Sequence, residues 1–169
     1  MFLLQMAGFP GSGKSTLATE ITKYTNSIII DRDVIKSSML NAGIQDPLLT
    51  DTSYMIVFDL AEHYLSKGIS VIIDTSCYLE ETLKKGLKLC KRYNCQYKYI
   101  ECRVDDYEHI ERRVRGRKAL ASQLREPTIE KYENLLGKSI KPEDLDTIIV
   151  NTTSEEDYIM EDILAYLKK

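Results

Sequence analysis

The 169-residue chain lacks any apolar run approaching the ~18 residues of a membrane helix, so no segment is expected to span a bilayer. It also lacks the charged head and long apolar stretch of a secretory leader. Its first apolar run, Phe2 to Ala7, is short and leads into glycines, and secretion is not expected. Cysteine is scarce. Cys77, Cys90, Cys95 and Cys102 form no C-x-x-C pair, and His63 and His109 lie far from them, so the ligand spacing of a zinc site is missing. These are the reduced thiols expected of a cytoplasmic protein. A large charge of one sign is missing too: 23 Lys and Arg stand against 26 Asp and Glu, a net charge of −3, which is not the footprint of a nucleic-acid-binding protein.

Repeats, low-complexity segments and long linkers are absent, so residues 1–169 read as one domain. With 43% apolar and 29% charged residues the chain is not disordered. At this size it buries roughly 70% of its unfolded surface without a metal or disulfide staple.

Short β-branched runs alternate with helical patterns. Strands are predicted at Met1–Ala7, Ser27–Asp31, Ile69–Asp74, Gln96–Cys102 and Thr147–Val150; the fourth alternates more and reads as having one wetter face. Helices are predicted over Lys14–Tyr24, Asp33–Asn41, Thr52–Lys67, Glu80–Tyr93, Asp106–Arg115, Thr128–Leu136 and Ser154–Leu167. The last is placed by Ser154 followed by Glu155, Glu156 and Asp157, which favour the positive end of a helix. Gly43–Thr50 and Lys141–Asp144 read as turn-rich connections. The alternation predicts an α/β fold with a parallel sheet covered on both faces.

Gly8-Phe9-Pro10-Gly11-Ser12-Gly13-Lys14-Ser15 matches G-x-x-x-x-G-K-[ST], directly after a strand and opening a helix. Its glycines let main-chain N–H groups wrap phosphate oxygens at a helix N-terminus, a position Thr16 shares. Lys14 suits the β- and γ-phosphates of ATP, and the Ser15 hydroxyl suits Mg²⁺. The features of a GTP switch are missing: Val150-Asn151-Thr152-Thr153 is no N-K-x-D, and Asp74-Thr75-Ser76-Cys77 is no D-x-x-G. What remains is a small phosphotransferase with a lid.

The phosphate loop, Ile30-Asp31-Arg32-Asp33-Val34-Ile35-Lys36, Val71-Ile72-Ile73-Asp74-Thr75 and Arg113-Val114-Arg115-Gly116-Arg117 together resemble the P-loop kinases of the polynucleotide-kinase and zeta-toxin type, a group that includes chloramphenicol phosphotransferase. The resemblance runs through residues 1–117 and, more loosely, the last strand and helix. It implies five parallel strands in the order 2-3-1-4-5 and an acceptor-activating carboxylate after the second strand, which Asp33 matches. Asp31 competes for that role, with a helix N-cap as the alternative for either residue. Lys36, one turn on, stands where the group usually has arginine; it keeps the charge but lacks the fork. Asp74, ending the third strand, either sits near Mg²⁺ or braces the phosphate loop, while Thr75 and Ser76 face the acceptor.

Six of the eight arginines lie between 103 and 125. Arg113 and Arg117 match the R-x-x-x-R pattern that the resemblance places in a lid and, four apart, are expected on one helix face, with Arg112 and Arg115 solvated and Gly116 a hinge or helix break in a lid over about residues 112–127. The acceptor is expected over residues 32–67, whose Tyr54, Phe58 and Tyr64 read as core at helical spacing before they read as ring platforms. That segment is no basic track. A small-molecule or nucleoside-like hydroxyl therefore ranks above a polynucleotide 5′ end, and a non-catalytic ATP-binding regulatory module is the third reading.

Overall fold

The computed structural model describes residues 1–136, 138–153 and 158–169. Strands β1 (Phe2–Ala7), β2 (Ser27–Asp31), β3 (Ser70–Asp74), β4 (Gln96–Arg103) and β5 (Ile148–Asn151) form one parallel sheet in the order β2-β3-β1-β4-β5. This is the P-loop fold and the strand order that the resemblance implies. The described helices are α1 (Lys14–Thr22), α2 (Arg32–Asn41), α3 (Leu48–Leu65), α4 (Glu80–Tyr93), α5 (Tyr107–Gly116), α6 (Ile129–Leu135) and α7 (Tyr158–Lys168).

Successive side chains of a strand point to opposite faces, so β1 feeds two cores. Leu3 and Ala7 join Val71, Ile73, Tyr97 and Tyr99 under Val57, Ala61 and Leu65 of α3 and Leu83 and Leu89 of α4. Phe2, Leu4 and Met6 join Ile72 and Ile100 under Leu17 and Ile21 of α1 and Ile163 and Leu167 of α7. Truncating such a residue to alanine typically costs about 2–5 kcal/mol, which makes these two layers the main support of the sheet. A third, smaller cluster of Phe9, Val104, Ile110, Val114 and Tyr132 packs α5 and α6 beside the first loop.

Three expectations are corrected. The connection predicted over Gly43–Thr50 is shorter, because α3 starts at Leu48 rather than Thr52. Pro47 stands at its N-cap, where a missing N–H costs nothing. The wetter face expected of β4 is absent, since both faces are buried from Tyr97 to Cys102: on one, Lys98 donates to the Tyr166 carbonyl at 2.9 Å, and on the other Glu101 is paired with Arg103 at 2.9 Å and Lys141 at 2.8 Å. Pairing lets these polar groups leave water, and the two cations hold the Glu101 carboxyl below its usual range despite burial. The helix predicted over Asp106–Arg115 runs one residue further, to Gly116, with Asp106 as its N-cap. The start predicted at Ser154–Asp157 lies outside the described residues.

The chain leaves β1, β2 and β3 at the same edge of the sheet, where strand ends of a parallel sheet meet ligands. Ile140 and Lys141 are fastened to that region: the Ile140 N–H donates to the Cys77 carbonyl at 2.9 Å, just beyond β3.

Candidate active site

The turn between β1 and α1 depends on glycine at two close approaches. Gly8 has φ +127°, and a Cβ there would lie 2.2 Å from the Cys102 carbonyl oxygen. Gly11 has φ +90°, and a Cβ there would lie 2.7 Å from Val114 Cγ2 on α5. The loop is thus pressed between the sheet and α5, and any side chain at Gly8 would push it out of position. Gly13 caps α1 without a side-chain bond, which leaves the first N–H groups of the helix open toward a phosphate.

Lys14 lies back along this loop, its ammonium donating to the Gly8 and Phe9 carbonyls at 3.0 Å each. Those carbonyls hold the charge in a buried position until a stronger acceptor arrives. Asp74, 5% exposed, lies beside it, with Oδ2 buried and unpartnered among the described residues. Burial pushes the Asp74 carboxyl up, against the pull of Lys14 and a hydrogen bond from Ser15. An orphaned carboxylate oxygen next to a serine hydroxyl is an oxygen donor set that fits Mg²⁺, which takes one or two protein oxygens and completes its shell with phosphate and water. Thr75 follows; its hydroxyl oxygen accepts from Gln5 Nε2 at 2.9 Å, which leaves its proton free to donate.

Asp31 and Asp33 part ways. Asp31 Oδ1 accepts from the N–H groups of Asp33 at 2.7 Å and Val34 at 3.4 Å, so Asp31 is the N-cap of α2. Burial and the neighbouring Asp74 push its carboxyl up. The Asp33 carboxylate lines the cleft and has no hydrogen-bond or ion-pair partner among the described residues. Lys36 is half-buried on α2 and does not line the cleft; Arg32 does.

The expectation that Arg113 and Arg117 share one helix face is corrected. α5 ends at Gly116, and Arg117 is its extended C-cap, φ −86° and ψ 150°. Both still reach the cleft. Arg113 donates to the Thr152 carbonyl at 2.8 Å, and the Thr152 hydroxyl donates to the Ser12 carbonyl at 2.7 Å, which joins α5 to the phosphate loop. Arg117 donates to the Leu124 carbonyl at 2.9 Å, and its Nε is buried without a partner among the described residues. Arg112 and Arg115 are exposed, as expected, and Arg115 pairs with Glu111 at 2.8 Å. Beyond Gly116 the chain crosses to α2, where Ser122 meets Ser37 and Asp33, and it returns at Pro127, whose carbonyl accepts from Tyr107 Oη at 2.8 Å.

These walls enclose about 1310 Å³, bringing Pro10, Gly11, Gly13, Lys14, Ser15 and Thr16 together with Asp33, Asp74, Thr75, Arg113 and Arg117. That exceeds the ~300–1,000 Å³ of an ordinary small-molecule pocket and is room for a nucleotide and an acceptor side by side. Gly8 and Ser12 support the loop from behind rather than facing this space. Of the three aromatics, Phe58 and Tyr64 belong to the core, whereas Tyr54 lines the cleft with the Arg32 guanidinium 3.9 Å above its ring. Sequence reasoning missed Arg32, Thr152, Ser122 and Gln5. Arg32 carried one signal, its place between the two aspartates.

A family model described as an AAA domain matches residues 3–136. Among solved structures, a Chloroflexus aurantiacus protein named provisionally as a kinase is 20% identical, with a TM-score of 0.74 over 98% of this chain and 93% of its own. A sugar kinase from Janibacter sp. HTCC2649 is 17% identical, with a TM-score of 0.68 over 99% of this chain and 94% of its own. The Mycobacterium tuberculosis APS kinase, solved with AMPPNP and APS, is 14% identical, with a TM-score of 0.64 over 99% of this chain and 97% of its own. At these identities the likeness is one of fold; on the family match over residues 3–136, the chain belongs to the AAA domain family, built on the P-loop fold.

Proposed function

We propose that this protein is a kinase that transfers the γ-phosphoryl group of Mg²⁺–ATP to a hydroxyl of a small-molecule or nucleoside-like acceptor. The observation that carries this reading is one cleft lined by Lys14, Asp74 and Arg117 together with an Asp33 carboxylate that has no partner among the described residues. The kinase fold of the solved relatives supports it.

Bound Mg²⁺–ATP would supply the phosphoryl group and a metal charge that offsets the negative charge developing in transfer. Ser15 and Asp74 would hold the metal. Lys14 exchanges the Gly8 and Phe9 carbonyls for phosphate oxygens, and the open N–H groups at the start of α1 add their partial positive charge. Asp33 accepts the proton of the acceptor hydroxyl as that oxygen attacks. Arg117 turns its unpartnered Nε–H toward the charge that spreads over the equatorial oxygens, a role worth most in the transition state. Thr75, its hydroxyl oxygen occupied by Gln5, donates to acceptor or phosphate.

The test is a phosphotransfer screen with labelled ATP across sugars, nucleosides, aminoglycoside and phenicol antibiotics and oligonucleotides, run beside Lys14→Ala. Transfer to a small hydroxyl compound, lost in the variant, is the expected result. ATP binding with no transfer to any acceptor would favour a regulatory module. Salt-sensitive 5′ phosphorylation of oligonucleotides would overturn the small acceptor.

A further inference from the structure

Arg32 is the one cation that the described residues bring to the acceptor side of the cleft. Its side chain is set by two contacts. Nε donates to Ser53 Oγ at 3.0 Å, and the guanidinium plane lies over Tyr54 with Cζ 3.9 Å from the ring centroid. Ser53 is itself fully buried and donates to the Thr50 carbonyl at 2.7 Å, so the anchor is rigid. The two terminal nitrogens have no hydrogen-bond partner and no carboxylate within ion-pair distance among the described residues. They belong to a residue that lines the cleft next to Asp33.

A strap between α2 and α3 would account for the Nε bond and the ring contact. It would not account for a fork left open toward the cleft, since a neutral side chain that bonds Ser53 and covers the ring would strap as well. The other cations of the cleft are committed elsewhere: Lys14 to the loop carbonyls, Arg113 to Thr152, Arg117 to Leu124. A guanidinium held by one edge and one face presents its remaining N–H groups in a plane, the arrangement that grips a carboxylate or phosphate with two parallel bonds. It also supplies the fork that lysine at position 36 lacks.

We infer that the acceptor is a small hydroxyl compound that carries an anionic group, and that Arg32 binds this group while Asp33 meets the hydroxyl. The inference rests on the kinase reading and deepens it. Recognition of this kind discriminates, because a neutral acceptor seated over the fork strips water from it and gives no partner in return. The carboxylate of a sugar acid and the phosphate of a sugar phosphate share the chemistry, and only ligand size and geometry separate them.

The protein is first saturated with Mg²⁺–AMPPNP, so that anions cannot enter the phosphate loop. It is then titrated by calorimetry with inorganic phosphate, acetate, gluconate, glucose 6-phosphate and neutral glucose. The expected result is binding of at least one anion, with glucose silent. Arg32→Gln should weaken that binding tenfold or more, and Arg32→Lys should recover part of it, keeping the charge without the fork. Ser53→Ala, which removes the anchor but leaves the guanidinium, should cost only a few-fold; a merely structural strap would make Ser53→Ala and Arg32→Gln alike. The carboxylate and phosphate arms identify which anion fits. Equal binding by Arg32→Gln and parent, binding of glucose as tight as gluconate, or no anion bound to the loaded protein overturns the inference. Failure to bind AMPPNP would overturn the kinase reading and this one with it.

Discussion

The Ser122 hydroxyl donates to the main-chain carbonyl of Asp33 at 2.9 Å, so the segment after α5 is fastened to the residue proposed as the base. Ser37 completes the latch: its hydroxyl lies 2.8 Å from that of Ser122 and accepts the Ser122 N–H at 3.1 Å. On the proposed kinase reading, closing residues 117–126 over the cleft and placing Asp33 would be one event. Ser122→Ala should raise the acceptor KM several-fold with little change in the ATP KM, and should speed proteolytic cutting within residues 116–126. An ATP analogue should slow that cutting in the parent. Steady-state kinetics and limited digestion check both.

Asp33→Asn should leave nucleotide affinity nearly intact and lower turnover by roughly 10²–10⁴, the contribution of a positioned base. Asp31→Ala should instead cost about 1 kcal/mol of stability, the worth of an N-cap, read from the denaturant midpoint. A turnover collapse in Asp31→Asn with Asp33→Asn silent would exchange the two roles.

Asp74 is held against the stability of the empty protein. Its folded carboxyl is raised, chiefly by burial, so the folded state binds the proton more tightly than the unfolded chain does. The resulting penalty is absent below the ordinary carboxylate value of about 4 and complete once the pH has passed the raised folded value. Asp74→Asn should thus raise the melting temperature of the nucleotide-free protein at neutral pH. The gain should fade as the pH falls through that window, while the Mg²⁺ needed for transfer rises. Thermal melts across pH, beside a Mg²⁺ titration of activity, separate the two effects.

The two lid arginines should fail differently. Arg117→Ala is expected to lower kcat by about 10², as loss of one transition-state donor does, and to raise the ATP KM less. Arg113→Ala frees Thr152 and with it the brace on the Ser12 carbonyl. Its expected signature is weaker binding of Mg²⁺–AMPPNP with a smaller loss of kcat.

Much of the fold was legible because its signals are local. The Ile/Val runs mark strands buried on both faces, and Gly8 to Ser15 needs only its own neighbours to become a phosphate loop. The cap role of Asp31 was weighed from the residue type alone, and geometry chose it. What escaped the sequence depends on pairing across the fold. Lys98 and Glu101, on opposite faces of β4, look solvated until Tyr166 satisfies the first and Arg103 and Lys141 the second. Arg117 looks helical from its spacing, but the helix stops at Gly116. Arg32 and Tyr54 meet only because α2 and α3 pack together, and no spacing rule connects residues so placed.

The bond from Tyr107 to Pro127 has a kinetic corollary. It pins the chain back onto α5, whose own end is at Gly116, so the segment between is a tether of about ten residues with both ends tied. A tether of that length explores its arrangements in about 10–100 ns, and doubling its length would add only about 0.6 kcal/mol to the entropy of drawing it in. Diffusion of the chain is then far faster than any ordinary turnover. On the proposed reading, the dwell time of a product under this tether would be set by how firmly a few serine and arginine contacts hold, and changes to those contacts, rather than to tether length, would retune the cycle.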